Sequence, residues 1–110
     1  MFIAEYDKPR IEVAPVTKTA PIDSPLQMDC IIVGVPPPII YWLHDGLKVK
    51  NTSDIVVHSN GSLYIKSLAL KHGGQYSCNG TNDKGSIASP NIFLFVACKC
   101  NLFVIFSRKF

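Results

Sequence analysis

The stretch that decides the fold is residues 63–85, LYIKSLALKHGGQYSCNGTNDKG. Leu63 and Ile65 share one face of a short strand, because successive side chains of a strand point to opposite faces. Tyr76 and Cys78 share one face of a second strand, and we expect the tyrosine hydroxyl to reach back to carbonyl groups in the preceding loop. The stretch therefore predicts two strands that face a common core, joined by a loop that Tyr76 holds in place.

A second mid-strand cysteine, Cys30, lies upstream on the apolar face of an alternating strand. Cysteines that face the core from two sheets can meet each other, whereas a zinc site needs paired ligands that neither Cys30 nor Cys78 has nearby. We therefore predict a disulfide between them, and closing a loop of roughly fifty residues stabilises the fold by about 4 kcal/mol. The core predicted around this bridge consists of Trp42, Tyr76, Leu63 and Ile65.

The rest of the chain consists of short extended runs separated by turn signals. Pro36-Pro37-Pro38 must be a loop, because proline has no backbone N–H to donate to a sheet. No stretch has a sustained apolar period of 3.6 residues, so no helix of consequence is expected. The further strands predicted are residues 11–20 with a kink at Pro15, 26–32, 39–44, 47–50, 55–58, 75–80 and 86–96.

The composition favours a single folded domain that does not bind nucleic acid. Of the 110 residues, 47% are hydrophobic and 17% are charged, which argues against disorder. The net charge of +3 comes from Lys99, Arg108 and Lys109, since residues 1–96 carry eight basic and eight acidic side chains. A nucleic-acid-binding domain needs a basic face, and residues 1–96 have no basic excess to form one.

The spacing L-x-I-x-x-L-x-x-x-x-x-G-x-Y-x-C over residues 63–78, with Cys30 and Trp42 upstream, resembles an I-set immunoglobulin domain. Such domains occur in neural cell-adhesion and extracellular-matrix proteins of the neuroglian, Dscam, roundabout and hemicentin type. The run from Cys78 to Gly85 is similar to their F–G hairpin, in which an Asn-x-x-Gly turn follows the second cysteine. The resemblance implies an all-β, immunoglobulin-like Greek-key β-sandwich over residues 11–96, with a linker at 1–10 and a tail at 97–110 outside the sandwich.

One position departs from that family pattern. The family usually has an aspartate where this chain has His72, and that aspartate commonly pairs with a basic residue on an earlier strand. No lysine or arginine lies between Lys50 and Lys66 to serve as the partner. The departure predicts that this salt bridge is lost and that the tyrosine corner is somewhat weaker.

The sequence offers no constellation for catalysis. The three histidines, His44, His58 and His72, fall in different predicted elements, and none has an acidic or nucleophilic partner at a spacing typical of a catalytic pair. We interpret them as surface or turn residues. Gly73-Gly74 is not part of a phosphate-binding loop. Gly61-Ser62 and Gly85-Ser86 lack the flanking residues of a nucleophile elbow. We therefore expect no enzymatic activity, no cofactor and no bound metal.

Three Asn-x-Ser/Thr sequons, at Asn51, Asn60 and Asn79, together with four cysteines indicate an extracellular protein. Asn51 and Asn60 fall in predicted turns, and Asn79 should face outward because its neighbour Cys78 faces inward. Residues 1–5 show neither a basic start nor an apolar core of a secretory signal. The simplest interpretation is a piece or variant of a longer secreted or cell-surface chain.

Tyr41 and Leu43 are the residues predicted to bind a partner. With Ile39 they alternate with the inward-facing Trp42, so they should line the outer face of the same sheet as Asn79. An adjacent module or the edge of the strand would cover them in an alternative interpretation. A glycan on Asn79 would also cover them, and contact would then pass to the loops Pro36–Pro38 and Thr81–Lys84.

The function predicted from the resemblance is protein–protein recognition within a cell-adhesion or receptor protein. The alternative is a structural spacer in a multidomain extracellular-matrix protein. The expected partner is another cell-surface or matrix protein, a second copy included, with membrane attachment only through a parent chain. For residues 97–110 we expect no transmembrane helix and no Cys98–Cys100 bridge, because strand rise separates those residues by about 7 Å.

Overall fold

The computed structural model describes residues 7–98 as a sandwich of short strands with one 3-10 turn at Leu70–His72. The apolar and β-branched runs predicted as strands form strands, and the Pro36–Pro38 segment is a loop as expected. The strands are β1 Asp7–Val13, β2 Lys18–Pro21, β3 Leu26–Met28, β4 Ile31–Val35, β5 Ile39–His44, β6 Leu47–Lys48, β7 Ile55–Val57, β8 Leu63–Ile65, β9 Gly74–Asn82, β10 Gly85–Ala88 and β11 Ile92–Ala97.

The strands form two layers. The larger sheet has the order β2-β11-β9-β5-β6. On one side of β9, β11 pairs with its first residues and β10 pairs with its last residues. The opposite layer contains the sheet β3-β8-β7 and the pair β1-β4, which continue each other because only Asp29 and Cys30 separate β3 from β4. All pairings are antiparallel except that of β2 with β11. The predicted all-β, immunoglobulin-like sandwich is confirmed.

The core lies between the layers and is built from the inward residues of alternating strands. Cys30 and Cys78 are fully buried and joined by a disulfide with an S–S distance of 2.06 Å. Trp42 pairs across β5 and β9 with Cys78, and its indole N–H donates to the carbonyl of Gly61 at 2.7 Å. The other residues of the buried cluster are Leu26, Met28, Ile32, Leu63, Ile65, Leu68, Tyr76, Ile92 and Leu94.

Three strand predictions were wrong. Residues 26–32 are not one strand, because Asp29 and Cys30 separate β3 from β4. Residues 11–20 are not one kinked strand, because the chain leaves the β1–β4 pair after Val13 and joins the larger sheet as β2, in parallel with β11. Residues 86–96 are not one strand either, since Ser89-Pro90-Asn91 separates β10 from β11. Proline lacks the N–H that a continuous ladder would require at this point.

The predicted domain boundaries also need correction. β1 begins at Asp7, so the last four residues assigned to the linker 1–10 belong to the sandwich, and β11 includes Ala97. The remaining predictions for the tail depend on residues 99–110, among them Cys100 of the Cys98–Cys100 pair, and these lie outside the described residues. Within residues 7–98, no helix has the length and apolarity required to cross a bilayer.

Candidate recognition surface

The disulfide core fixes which residues of β5 and β9 face outward on the larger sheet. Because Trp42 and Cys78 form an inward pair, the adjacent pairs point to the opposite face. Tyr41 lies directly across from Asn79, and Leu43 lies across from Ser77. These side chains share the outer face, as the alternation of β5 predicts.

The strip Ile39–Tyr41–Leu43 is unevenly exposed, and we call these three residues the β5 strip. Ile39, at the loop end of β5, is 71% exposed, whereas Tyr41 and Leu43 are half-buried. The ammonium group of Lys48 lies 5.1 Å from the centroid of the Tyr41 ring, a cation–π contact that covers part of the ring. The strip therefore presents most of its apolar surface near the loops.

Asn79 lies on the outer face, where strand alternation placed it, but its side chain is buried. Its side chain is on the outer face but only 8% exposed, and its amide nitrogen donates to the carbonyl and hydroxyl oxygens of Ser77 at 3.3 and 3.2 Å. β9 is flanked at this position by Tyr41 on one side and Ala88 on the other, and the larger tyrosine side chain shields the asparagine. A glycan on this nitrogen would require the amide to leave its buried site.

The other two sequons have the geometry that glycosylation needs. Asn51 and Asn60 are exposed, and both use the side-chain oxygen as an acceptor, from Val57 N and Ser62 N at 2.9 Å each. Neither hydrogen bond uses the amide nitrogen that a glycan modifies. Both residues flank β7, at the edge of the smaller sheet, away from the β5 strip.

The two loops expected as an alternative contact surface lie together at one end of the sandwich. The amide nitrogen of Asn82 donates to the carbonyl oxygens of Pro36 and Asp7, both at 2.9 Å. Its side-chain oxygen accepts from Lys84 N at 2.8 Å and stabilises the β9–β10 turn. Since exposed Ile39 follows Pro38 directly, the loop end and the β5 strip form one continuous surface.

Sequence reasoning missed two aromatic residues of the same sheet. Phe93 and Phe95 on β11 are 43% and 55% exposed, and their rings stack with centroids 6.0 Å apart. The alternation with buried Ile92 and Leu94 is the signal that could have identified them as outward-facing. They extend the apolar outer face across β11.

The tyrosine corner is present and its histidine is buried, contrary to the surface interpretation of His72. The Tyr76 hydroxyl donates to the carbonyl oxygen of His72, and burial raises the pKa of Tyr76 far above its usual range. The His72 Nδ1 accepts from Ala69 N at 2.8 Å and so caps the 3-10 turn, while the buried Nε2 has no hydrogen-bond partner. Burial lowers the pKa of His72, with smaller contributions from Lys71 and His44.

Among residues 7–98, His72 takes part in no salt bridge. Asp54, immediately before β7, acts electrostatically on His72 and opposes the lowering of its pKa. An acidic residue thus precedes the strand, and a histidine occupies the position at which the resemblance implied an aspartate. The Asp-to-basic salt bridge of the family pattern therefore has no counterpart at this corner among the described residues, in line with the predicted loss.

The remaining histidines have structural contacts. His44 stacks on Tyr76 with ring centroids 4.2 Å apart, and its Nε2 lies 2.9 Å from the Gly73 carbonyl oxygen. His58 is exposed and lies 6.4 Å from the Tyr64 ring. Within residues 7–98, no group of three or more His, Cys, Asp or Glu side chains is arranged to hold a metal ion.

Comparison with known proteins gives the family. Residues 8–82 match the family model described as immunoglobulin domain. The chain is 33% identical over 84 residues to Interference hedgehog of Drosophila grimshawi, covering 76% of this chain and 10% of that protein. It is also 33% identical over 84 residues to Roundabout homolog 1 of Rattus norvegicus, covering 76% of this chain and 5% of that protein. The resemblance to roundabout seen in the sequence is confirmed.

A solved structure gives the same fold. The titin domains Z1Z2, crystallised in complex with telethonin, superpose with a TM-score of 0.79 at 25% identity, over 87% of this chain and 50% of that one. This chain spans a tenth or less of the length of the two curated relatives.

Proposed function

Because this chain belongs to the immunoglobulin-domain family, we propose that it is a protein–protein recognition module of a cell-adhesion or receptor protein. In this proposal it is an I-set module that works as one part of a longer extracellular chain. The observation that carries the proposal is the apolar outer face of the larger sheet, and the burial of the Asn79 amide argues against a glycan on that face.

The contact surface proposed is the β5 strip together with the loop end beside it. Apolar surface rimmed by polar groups is typical of interaction sites. Tyr41 supplies a large contact area at low cost in side-chain entropy, and Leu43 extends it along the strand. Exposed Ile39 connects the strip to the Pro36–Pro38 and Thr81–Lys84 loops, so both predicted surfaces contribute to one site.

The extracellular location is supported by the disulfide, which persists in oxidising compartments. We propose glycans on Asn51 and Asn60, where the exposed amide nitrogens make no competing hydrogen bond. These glycans would cover the edge of the smaller sheet and leave the β5 strip open. Mass spectrometry of the chain secreted from a mammalian cell should find both sites occupied and Asn79 bare, and an occupied Asn79 would contradict the proposed surface.

The partner we propose is another cell-surface or matrix protein, a second copy of the module included. The titin Z1Z2 complex with telethonin supports a protein partner for a domain of this fold. The even balance of charge over residues 1–96 argues against nucleic acid. Membrane attachment would come only through the parent chain.

The test compares the binding of folded variants with that of the wild-type chain in two assays. A cell-aggregation assay detects a second copy as partner, and a panel of cell-surface and matrix proteins detects another. Tyr41→Ala and Leu43→Ser should each weaken binding by roughly tenfold or more, the effect of removing an interface anchor. Val56→Ser is the matched control, because Val56 is also exposed but lies on β7 of the smaller sheet. Thermal melting checks the fold of every variant.

The spacer function is the competing outcome. If both folded variants bind as well as the wild-type chain, and an unrelated immunoglobulin module can replace this one in its parent without loss of binding, the module is a spacer. A recognition module would not tolerate that exchange.

A further inference from the structure

A pocket opens at the edge of the sandwich where both sheets end in short strands. β6 has two residues and β7 has three, and the segment between them crosses from one sheet to the other. The space enclosed is about 290 Å³. That volume is near the lower limit of roughly 300–1,000 Å³ for small-molecule sites, so only a small ligand would fit.

The floor and walls of the pocket are apolar. Leu63 and Ile65 of the core lie beneath the pocket and are 1% and 0% exposed, so the apolar surface open to a ligand includes the partly exposed Val49 and Ile55. The mouth carries Leu47, which is 75% exposed. A ligand that enters must therefore present an apolar body to this surface.

The polar groups of the inner lining are already engaged in the fold. The Tyr76 hydroxyl donates to the His72 carbonyl, and the His44 Nε2 is bonded to the Gly73 carbonyl. The Thr52 hydroxyl oxygen accepts from Asp54 N and Ile55 N, both at 3.1 Å, which leaves its own proton available to a ligand. Among these uncharged polar groups of the lining, Thr52 is thus the one that can still donate a hydrogen bond.

The charge at the mouth is positive. Lys48 and Lys50 line the pocket and no acidic residue does. Lys48 is committed to the Tyr41 ring, whereas Lys50 has no acidic partner among the salt bridges of residues 7–98. Asn51 lies between the lining residues Lys50 and Thr52. Its side chain accepts a hydrogen bond from Val57 N and therefore does not block the mouth of the pocket.

We propose that this pocket is a binding site for a small carboxylate with an apolar body, such as a medium-chain fatty acid. The apolar body would contact Leu47, Val49 and Ile55, and the carboxylate would pair with the Lys50 ammonium group and accept from the Thr52 hydroxyl. A partly exposed ion pair adds modest affinity, so binding is weak and the charge sets which ligand is preferred.

The test uses octanoate, with octylammonium as the probe of equal chain length and opposite charge. The ¹⁵N-labelled full chain is titrated with each below its micelle-forming concentration, and amide shifts are followed by NMR. Octanoate should shift the amides of Val49, Thr52 and Ile55 and bind at least fivefold more tightly than octylammonium. Acetate, which carries the charge without the apolar body, should cause no saturable shift.

Two variants decide between the pocket and non-specific contact. Lys50→Glu, an exposed substitution that keeps the fold, should reverse the preference so that octylammonium binds more tightly than octanoate. Lys8→Glu is the matched control, since β1 contributes nothing to the pocket, and it should leave both affinities unchanged. Ile55→Phe should fill the pocket and weaken both probes. Equal binding of the two probes, shifts spread over the whole surface, or no shift at all would each overturn the proposal.

Discussion

Two buried regions lie between the same two sheets, yet they are stabilised in different ways. The disulfide centre, formed by Cys30, Cys78 and Trp42, has no group that titrates near neutral pH, and its indole N–H has a partner in the Gly61 carbonyl. The tyrosine corner, formed by Tyr76, His72 and the 3-10 turn, depends on hydrogen bonds and contains a buried histidine nitrogen without a partner.

The difference shows what a histidine does at the position where the family pattern has an aspartate. His72 still supplies the acceptor that the Ala69 N–H needs, but only while its Nδ1 carries no proton. The cap is therefore conditional on pH, whereas the disulfide centre is not. Four predictions test this contrast, in order of expected effect on the free energy of unfolding.

The largest effect should come from removing the bridge. The double variant Cys30→Ala/Cys78→Ala should lower the free energy of unfolding by about 4 kcal/mol, because the disulfide limits the unfolded chain. Urea titration measures the loss, and reduced wild-type protein should unfold near the same midpoint as the variant. A loss below about 1 kcal/mol would mean that the centre does not depend on the bridge.

The second effect concerns the indole. Trp42→Phe removes the donor to the Gly61 carbonyl and leaves a void, which should cost about 2–3 kcal/mol. The control is Tyr41→Phe on the same strand, whose side chain faces outward and should change stability by less than about 0.5 kcal/mol. Equal losses of unfolding free energy in both variants would show that the inward Trp42 side chain contributes no more to stability than the outward Tyr41 side chain.

The third effect concerns the corner. Tyr76→Phe keeps the ring and its stacking with His44 but removes the donor to the His72 carbonyl. Leaving that carbonyl without its partner should cost about 1–2 kcal/mol in urea titrations. Tyr64→Phe, on β8 and only partly buried, is the control and should be close to neutral. If the two tyrosines gave the same result, the corner would contribute no more than an ordinary surface residue.

The sequence was sufficient for the disulfide centre because its signals are local. Strand alternation depends on neighbours within a few residues, and the order and spacing of Cys30, Trp42, Tyr76 and Cys78 match a family pattern that can be read directly from the sequence. The same reasoning identified the strand that carries Tyr41. These features do not require knowledge of which strands lie side by side.

Several of the features that were wrong or missed depend on contacts across strands. The burial of Asn79 follows from Tyr41 and Ala88 on either side of it, and one strand's alternation cannot show this. The transfer of β2 to the larger sheet depends on pairing with β11, more than seventy residues later. The pocket exists because β6 and β7 are both too short to close the edge, which only the assembled sheets reveal.

The smallest effect, and the one that most directly separates the two regions, is the pH dependence of the corner. Burial lowers the pKa of His72 below its ordinary value of 6.5, and the charges of Lys71 and His44 act in the same direction against that of Asp54. The unfolded chain therefore binds more protons than the folded one just below pH 6.5. The free energy of unfolding should fall as the pH drops through that window and level off once folded His72 is also protonated.

The change should be about 1 kcal/mol, the value of the single cap hydrogen bond from Ala69 N that protonation of Nδ1 removes. Urea titrations between pH 7.5 and 5 would compare the wild-type chain with His72→Asn, whose amide oxygen can accept the same hydrogen bond but does not titrate. The wild-type chain should lose more stability than this variant over the window, because other groups titrate equally in both. His58→Gln, at an exposed histidine, should follow the wild-type curve. Parallel curves for wild type and His72→Asn would mean that the corner is as insensitive to pH as the disulfide centre.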